Sequence, residues 1–139
     1  MNFKTAIEVL TGEKFEHGWD KNYVVYGQAL MNLEFQQVHV VDWWYLDASM
    51  LYVLSPFAEN EVNINLLMNH PIYKDQPFGV SLIGKEWFMV DSVPLANLHK
   101  DALATIACRV AYAANSLARE FTKSEEERQR FLGNVIQFG

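Results

Sequence analysis

The sequence contains a single cysteine, Cys108, among its 139 residues. One thiol cannot form an internal disulfide, which fits a protein of a reducing compartment. The fold must therefore be held by its own core, and a chain of this length buries roughly two thirds of its unfolded surface on folding. Half of the residues are hydrophobic, which suits one compact domain spanning residues 1–139 and argues against disorder.

Long apolar runs are missing as well. No stretch approaches the roughly 18 consecutive apolar residues that cross a membrane as a helix. Residues 1–18 also lack the apolar segment and small-residue cleavage site of a secretory signal peptide. We therefore expect a soluble cytoplasmic protein with no membrane insertion.

Basic residues are scarce relative to acidic ones. The chain has 11 Lys and Arg against 17 Asp and Glu, which gives a net charge of −6 and a pI of about 5.1. Nucleic acids and anionic membranes attract proteins of the opposite charge, so neither is an expected partner. A net negative charge keeps a protein with exposed apolar surface soluble and favours basic partners.

The motifs that bind phosphates, metals or reactive substrates are absent. The seven glycines are scattered and form neither a dinucleotide-binding nor a Walker pattern. The histidines at 17, 39, 70 and 99 lack the spacing of a zinc site. His99 and Cys108 are nine residues apart on one predicted helix, which places them on opposite sides. Cys108 therefore reads as a small buried helix residue. We expect no enzyme, cofactor or metal, although catalytic groups converging from distant positions stay open.

The N-terminal segment has the pattern of a short helix over residues 2–11. Phe3, Ile7 and Leu10 fall at i, i+4 and i+7 and form one apolar stripe, and Gly12 follows where a helix commonly ends. This stripe is either part of the core or part of a binding surface.

A period closer to two, with β-branched and aromatic residues, begins at Tyr23 and indicates strands over 22–30, 34–45 and 48–56. A helix over 60–69 is expected to end before His70-Pro71. Gly84-Lys85 then predicts a two-residue turn in a hairpin over 78–92. Both faces of that hairpin are partly apolar, so either helices cover both sides of the sheet or a second chain covers one.

The C-terminal part reads as a long helix over 97–121 and a further helix from Ser124. Ser124-x-x-Glu127 is a capping-box pattern, which normally marks a helix start. The whole order is α-β-β-β-α-β-β-α plus an extra C-terminal helix at 121–139. The sequence therefore predicts an α+β fold in which an antiparallel sheet is backed by helices.

Three aromatic residues stand together at Trp43, Trp44 and Tyr45. Neighbouring side chains in a strand point to opposite faces, so the two tryptophans cannot both enter one core. Either one of them lies outside the core and, with Tyr45, lines a binding groove, or both are buried, one of them under the terminal helix.

Residues 66–121, LLMNHPIYKDQPFGVSLIGKEWFMVDSVPLANLHKDALATIACRVAYAANSLAREF, carry a family pattern. Its parts are Leu66-Leu67, Asn69, the hairpin 78–92, the Pro94-Leu95-x-x-Leu98 step and the apolar-striped helix 97–121. In this pattern and in its element order over residues 1–121, the chain resembles the class I chaperones of bacterial type III secretion systems. The helix after Ser124 lies beyond the usual end of that family.

The resemblance implies a binding protein of the bacterial cytoplasm with no cofactor. A homodimer would hold the N-terminal region of a secreted effector in an extended, export-competent form, and the ATPase of the secretion apparatus is an implied further partner. The expected effector-binding residues are Phe3, Ile7, Leu10, Trp43, Trp44 and Tyr45. The expected dimer interface contains Val62, Leu66, Leu67 and Phe78. The alternative is a protein-binding or regulatory module of similar α+β fold that is not a chaperone.

Overall fold

The structure of the chain is a computed structural model that describes residues 1–15, 20–28, 31–41, 47–59, 62–75 and 79–138, without the side chains of residues 28, 31, 75 and 121–138. Five strands and four helices are present in these ranges. In chain order they are α1 (Phe3–Thr11), β1 (Tyr23–Gln28), β2 (Met31–Val41), β3 (Asp47–Glu59), α2 (Ile64–Met68), α3 (Pro71–Asp75), β4 (Gly79–Ile83), β5 (Glu86–Pro94) and α4 (Lys100–Phe138).

The five strands form one antiparallel sheet in the order β1-β2-β3-β5-β4. The α+β fold class expected from the sequence is therefore confirmed, with the element order it predicted. The register of the β4–β5 hairpin is also the predicted one, with Leu82 opposite Trp87 and Val80 opposite Met89. Gly84 has a φ of 64°, the left-handed value that the first central residue of this tight turn requires.

The main core lies between one face of the sheet and the helices. α4 crosses this face and contacts β2, β3 and β5, while α1 packs beside α4. Alternate strand residues meet the buried stripe of α4 in a single cluster. Its large members include Phe3 and Ile7 from α1, Leu33, Phe35, Leu51, Val53 and Met89 from the sheet, and Leu103, Val110 and Leu117 from α4.

α1 has the boundaries and caps that its sequence predicts. The backbone N–H of Thr5 donates to Asn2 Oδ1 at 2.8 Å, which satisfies one of the free donors at the helix start. Gly12 ends the helix with a φ of 71°, and its N–H donates to the Glu8 carbonyl at 2.9 Å.

β3 is longer than the sequence pattern suggested. The strand was expected to end at Pro56, which has no N–H to donate, but it pairs with β5 as far as Glu59. A register shift between Pro56 and Ala58 places the proline at a bulge, where a missing donor is tolerated.

The helix predicted over 60–69 forms as α2 only, and a second short helix, α3, follows it. Asn63 Oδ1 accepts the Leu66 N–H at 3.1 Å and starts α2, and Pro71 is the first residue of α3. Proline disfavours helix in the residue before it but suits the first helical position, so it both separates these helices and begins the second.

The structure has one helix where the sequence predicted two at the C-terminus. α4 is continuous from Lys100 to Phe138, so Ser124 lies inside a helix and does not begin a new one. The sequence contains no glycine or proline between residues 100 and 132 that would end the helix. The capping-box pattern is therefore embedded in helix-forming sequence.

Candidate protein-binding surfaces

The sheet has a second face, opposite the main core, and this face is also apolar. We use the name second face for the strand side chains that point away from the helices. Leu54 and Phe88 are buried there although, among the described residues, they do not belong to the main core cluster. Half-buried apolar residues surround them, namely Val38, Val40, Met50, Tyr52, Pro56 and Val90. An antiparallel sheet with one solvated face normally alternates apolar and polar residues, and this one does not.

One transverse row of the second face crosses all five strands. Val25 lies opposite Glu34, Glu34 opposite Leu54, Leu54 opposite Val90, and Val90 opposite Gly79. The exposed fraction of Val25, at 58%, is large for an apolar side chain, and Glu34 is half-buried. The row therefore places a carboxylate between two apolar side chains.

Tyr23 lies in the neighbouring row of the second face, opposite Gln36 and one diagonal step from Glu34. Its side chain hydrogen-bonds to Glu34, the phenol donating and the carboxylate accepting. The pKa of the Tyr23 hydroxyl is raised from 10.0 to about 12, first by partial burial and then by the hydrogen bond to Glu34 and the negative charges of Glu34 and Glu86. Two carboxylates are therefore close enough to act on one phenol of this face.

The two edge strands of the described sheet contain none of the residues that usually protect an edge against strand addition. β1 reads YVVYGQ and β4 reads GVSLI, with no charged residue or proline in either. Proteins commonly block a free edge with lysine, proline or a bulge, because its unpaired backbone groups can pair with another chain. Leu82 and Ile83 at the end of β4 are both about half exposed. Each edge can therefore accept an extended segment through backbone hydrogen bonds.

α2 carries a second exposed apolar surface. Ile64, Leu66 and Met68 are all exposed, Leu66 by 43%. Leu67 is only 2% exposed and packs in the main core, and Val62 is half-buried against it. Of the four residues assigned to a dimer interface, Leu66 is thus available to a partner, whereas Leu67 is a core residue because the docking of α2 turns it inward. Phe78 lies outside the described residues.

The stripe of α1 packs in the core. Phe3 and Ile7 are buried there, and Leu10 is half-buried against it. The ring of Phe3 meets that of Phe15 edge to face, with centroids 6.0 Å apart. Core packing is therefore the alternative that burial supports for Phe3 and Ile7, and only Leu10 keeps a partly accessible side chain. The aromatic residues Trp43, Trp44 and Tyr45 lie outside the described residues, so their assignment to a binding groove stays a prediction.

A groove of about 480 Å³ lies beside the start of α1. His39 Nε2 is 2.7 Å from Asp47 Oδ1, and His39 Nδ1 is 3.5 Å from Ser49 Oγ. His39 and Ser49 are partners across β2 and β3, and both His39 and Asp47 are well exposed. Water and salt screen the charges of a pair this exposed, and such a pair holds no group in a reactive geometry. We therefore interpret the His39–Asp47 pair as a surface interaction between β2 and β3.

Signs of metal binding or of a membrane-spanning helix are not found in the described part of the chain. No group of three metal-ligating side chains occurs there. The described helices include none that is long and apolar enough to span a membrane. Cys108 is exposed, contrary to the expectation of a buried residue, because it lies on the side of α4 that faces away from the sheet.

Comparisons with protein-family models, with curated proteins and with solved structures find no match.

Proposed function

We propose that the protein is a homodimeric type III secretion chaperone of the bacterial cytoplasm that binds the N-terminal region of secreted effector proteins and keeps them export-competent. The observation that carries this proposal is the exposed apolar border of the second face, where Tyr23, Val25 and Ile83 are 41%, 58% and 51% exposed around a buried centre of Leu54 and Phe88. Large apolar surfaces of this kind mark interaction sites in proteins of this size.

The shape of the surface favours an extended partner over a folded one. A sheet face bordered by two unprotected edges offers backbone pairing along the edges and apolar contacts across the face. Backbone pairing makes little demand on sequence, which suits a chaperone that must hold a segment without folding it. Binding alone keeps the client export-competent, so the chaperone uses no nucleotide or cofactor. The secretion ATPase releases the client from the chaperone.

Dimerisation is a separate role, and we assign it to the exposed side of α2. Ile64, Leu66 and Met68 are exposed apolar side chains of a five-residue helix, and Leu66 lies on the opposite side of the helix axis from Ile64 and Met68. A two-fold axis beside Leu66 would bury that side of α2 against its own copy and leave the second face of both protomers accessible.

Affinity capture with segment mapping tests the proposal. The purified chain is incubated with lysate of its own bacterium, and protected peptides are identified after limited proteolysis of the captured complexes. We expect protected segments from the N-terminal regions of exported proteins, and we expect deletion of the chaperone gene to lower secretion of the same proteins.

Matched variants assign the capture to the second face. Val25→Ser with Ile83→Ser removes exposed apolar surface from that face, whereas Val9→Ser with Tyr112→Ser removes it from α1 and α4. The first pair should lose capture and the second should keep it. Protection of an internal folded domain, with unchanged secretion in the deletion strain, would instead identify a regulatory module, and equal capture by both pairs would exclude the second face.

A further inference from the structure

Every Asp, Glu, Lys or Arg in the five strands is acidic. These residues are Glu34, Asp47, Glu59, Glu86 and Asp91. All 11 Lys and Arg lie outside the strands; the two nearest in sequence to the second face are Lys21 before β1 and Lys85 in the β4–β5 turn. By strand alternation Glu34, Glu59 and Glu86 lie on the second face, which therefore presents apolar surface and negative charge with no Lys or Arg of its own.

Glu34 has a position that a partner can use. It is half-buried in the transverse row, with Val25 on one side and Leu54 on the other. A carboxylate among apolar side chains loses part of its hydration, and the one described hydrogen bond to its side chain comes from Tyr23. A carboxylate oxygen accepts more than one hydrogen bond, so Glu34 keeps capacity for a further donor.

Two further carboxylates add to this charge. Glu59 and Glu86 lie directly opposite each other in the last pair of the β3–β5 register, and Glu86 also acts on Tyr23. Like charges opposite each other in a sheet repel and destabilise it. A cation placed between them would relieve that repulsion, and no basic side chain of the strands does so.

We propose that the second face selects client segments of the pattern apolar-x-basic-x-apolar. This inference rests on the proposed function and adds the chemistry of the client to it. Alternate residues of an extended chain point to the same side, so the two apolar side chains of such a segment are about 13 Å apart. They reach the exposed Val25 and the half-buried Val90, which are three strand spacings apart at about 4.8 Å each, while the Lys or Arg between them reaches Glu34. At about 3.3 Å per residue, about six residues span the roughly 19 Å of the five-stranded row.

A second copy of the chain is a poorer occupant of this face. A two-fold contact would place the same acidic strands against each other, and juxtaposed like charges are costly at an interface. The charge of the face thus favours a basic client over self-association through it.

Three fluorescein-labelled peptides of about ten residues test the selection. They share Leu at the two apolar positions and Ser at the intervening ones, and carry Lys, Gln or Glu between the leucines. Binding is measured by fluorescence anisotropy with the full chain. The Lys peptide should bind about tenfold more tightly than the Gln peptide, and the Glu peptide more weakly than either. This advantage should shrink as the salt concentration rises.

Glu34→Gln is the decisive variant, and Asp101→Asn on α4 is its control because it changes the net charge equally. Glu34→Gln should abolish most of the preference for Lys over Gln, whereas the control should retain it. If Glu34→Gln fails to fold, as judged by thermal melting, the salt dependence of the Lys-peptide advantage in the unmodified protein tests the inference instead.

The outcomes separate this inference from the proposed function. Equal, salt-independent binding of the three peptides would overturn the charge selection but leave a chaperone that grips apolar segments. Absence of binding by all three would overturn the assignment of client binding to the second face. Retention of the full Lys preference in a folded Glu34→Gln variant would place the selection elsewhere and would also overturn the inference.

Discussion

Tyr23 donates a hydrogen bond to Glu34 on the second face, and this contact links the edge strand to the charge of the row. Neither residue is conspicuous in the sequence, because a tyrosine at a strand start and a glutamate in a strand are both common. Their meaning comes from the β1–β2 register, which places Tyr23 opposite Gln36 and one diagonal step from Glu34. A residue that looks solvated in the sequence is therefore part of an apolar face.

The Tyr23 hydroxyl should titrate near pH 12, above the 10.0 of an ordinary tyrosine. The folded state holds the proton more tightly than the unfolded state, so this group supports folding fully below pH 10 and loses that support as the pH rises to about 12. Urea unfolding across this range should show a falling unfolding free energy, with a shallower fall in Tyr23→Phe. The same slope in both proteins would contradict the assignment. In Glu34→Gln the pKa should drop, but only in part, because burial is the largest cause.

The β4–β5 hairpin shows how far an element follows from local sequence. Gly84-Lys85 fixes a two-residue turn, and that turn fixes every pair from Gly79↔Val90 to Ile83↔Glu86. A shift by one residue would exchange Met89, which is fully buried in the main core, with a residue of the second face.

Gly84→Ala should lower the unfolding free energy by about 1–2 kcal/mol, because a β-carbon disfavours a left-handed φ. A β-carbon at Gly84 would meet no atom within 4 Å, so the loss comes from backbone strain and not from a clash. Lys85→Ala in the same turn is the control and should change stability by no more than about 0.5 kcal/mol. Chemical denaturation measures both, and equal effects would show that the φ of Gly84 does not limit the turn.

At the scale of the whole molecule, all of the buried helix side chains in the main core lie on one side of the sheet. This arrangement leaves two apolar surfaces without a partner among the described residues, the second face and the exposed side of α2. We assign the first to the client and the second to the dimer because the strands carry only negative charge, whereas α2 carries none. A neutral apolar patch can meet its own copy without repulsion.

The chain should sediment at micromolar concentration with twice its 16.0 kDa mass. Leu66→Asp should yield a folded monomer, because Leu66 is exposed in one protomer and a charge there is unfavourable only in the interface. Leu67→Asp should instead unfold the chain or cost roughly 3 kcal/mol or more, because its side chain is in the core.

Tyr112→Asp is the matched control for this interface. It places the same charge on an exposed apolar residue of α4, away from α2, and should remain a dimer with an unchanged circular dichroism spectrum. An unmodified protein that sediments as a monomer, or a dimer that survives Leu66→Asp, would exclude α2 as the interface.

The sequence by itself determined what depends on local period and turn chemistry. The stripe and caps of α1, the hairpin register around Gly84 and the α+β order all follow from side-chain spacing within one element. Only the tertiary structure decided what depends on how elements dock. Leu66 and Leu67 are adjacent leucines, and the placement of α2 alone makes one exposed and the other core. Glu34 joins Val25 and Leu54 only through the pairing of three strands, because periodicity distinguishes the two faces of a strand but does not say which face is covered.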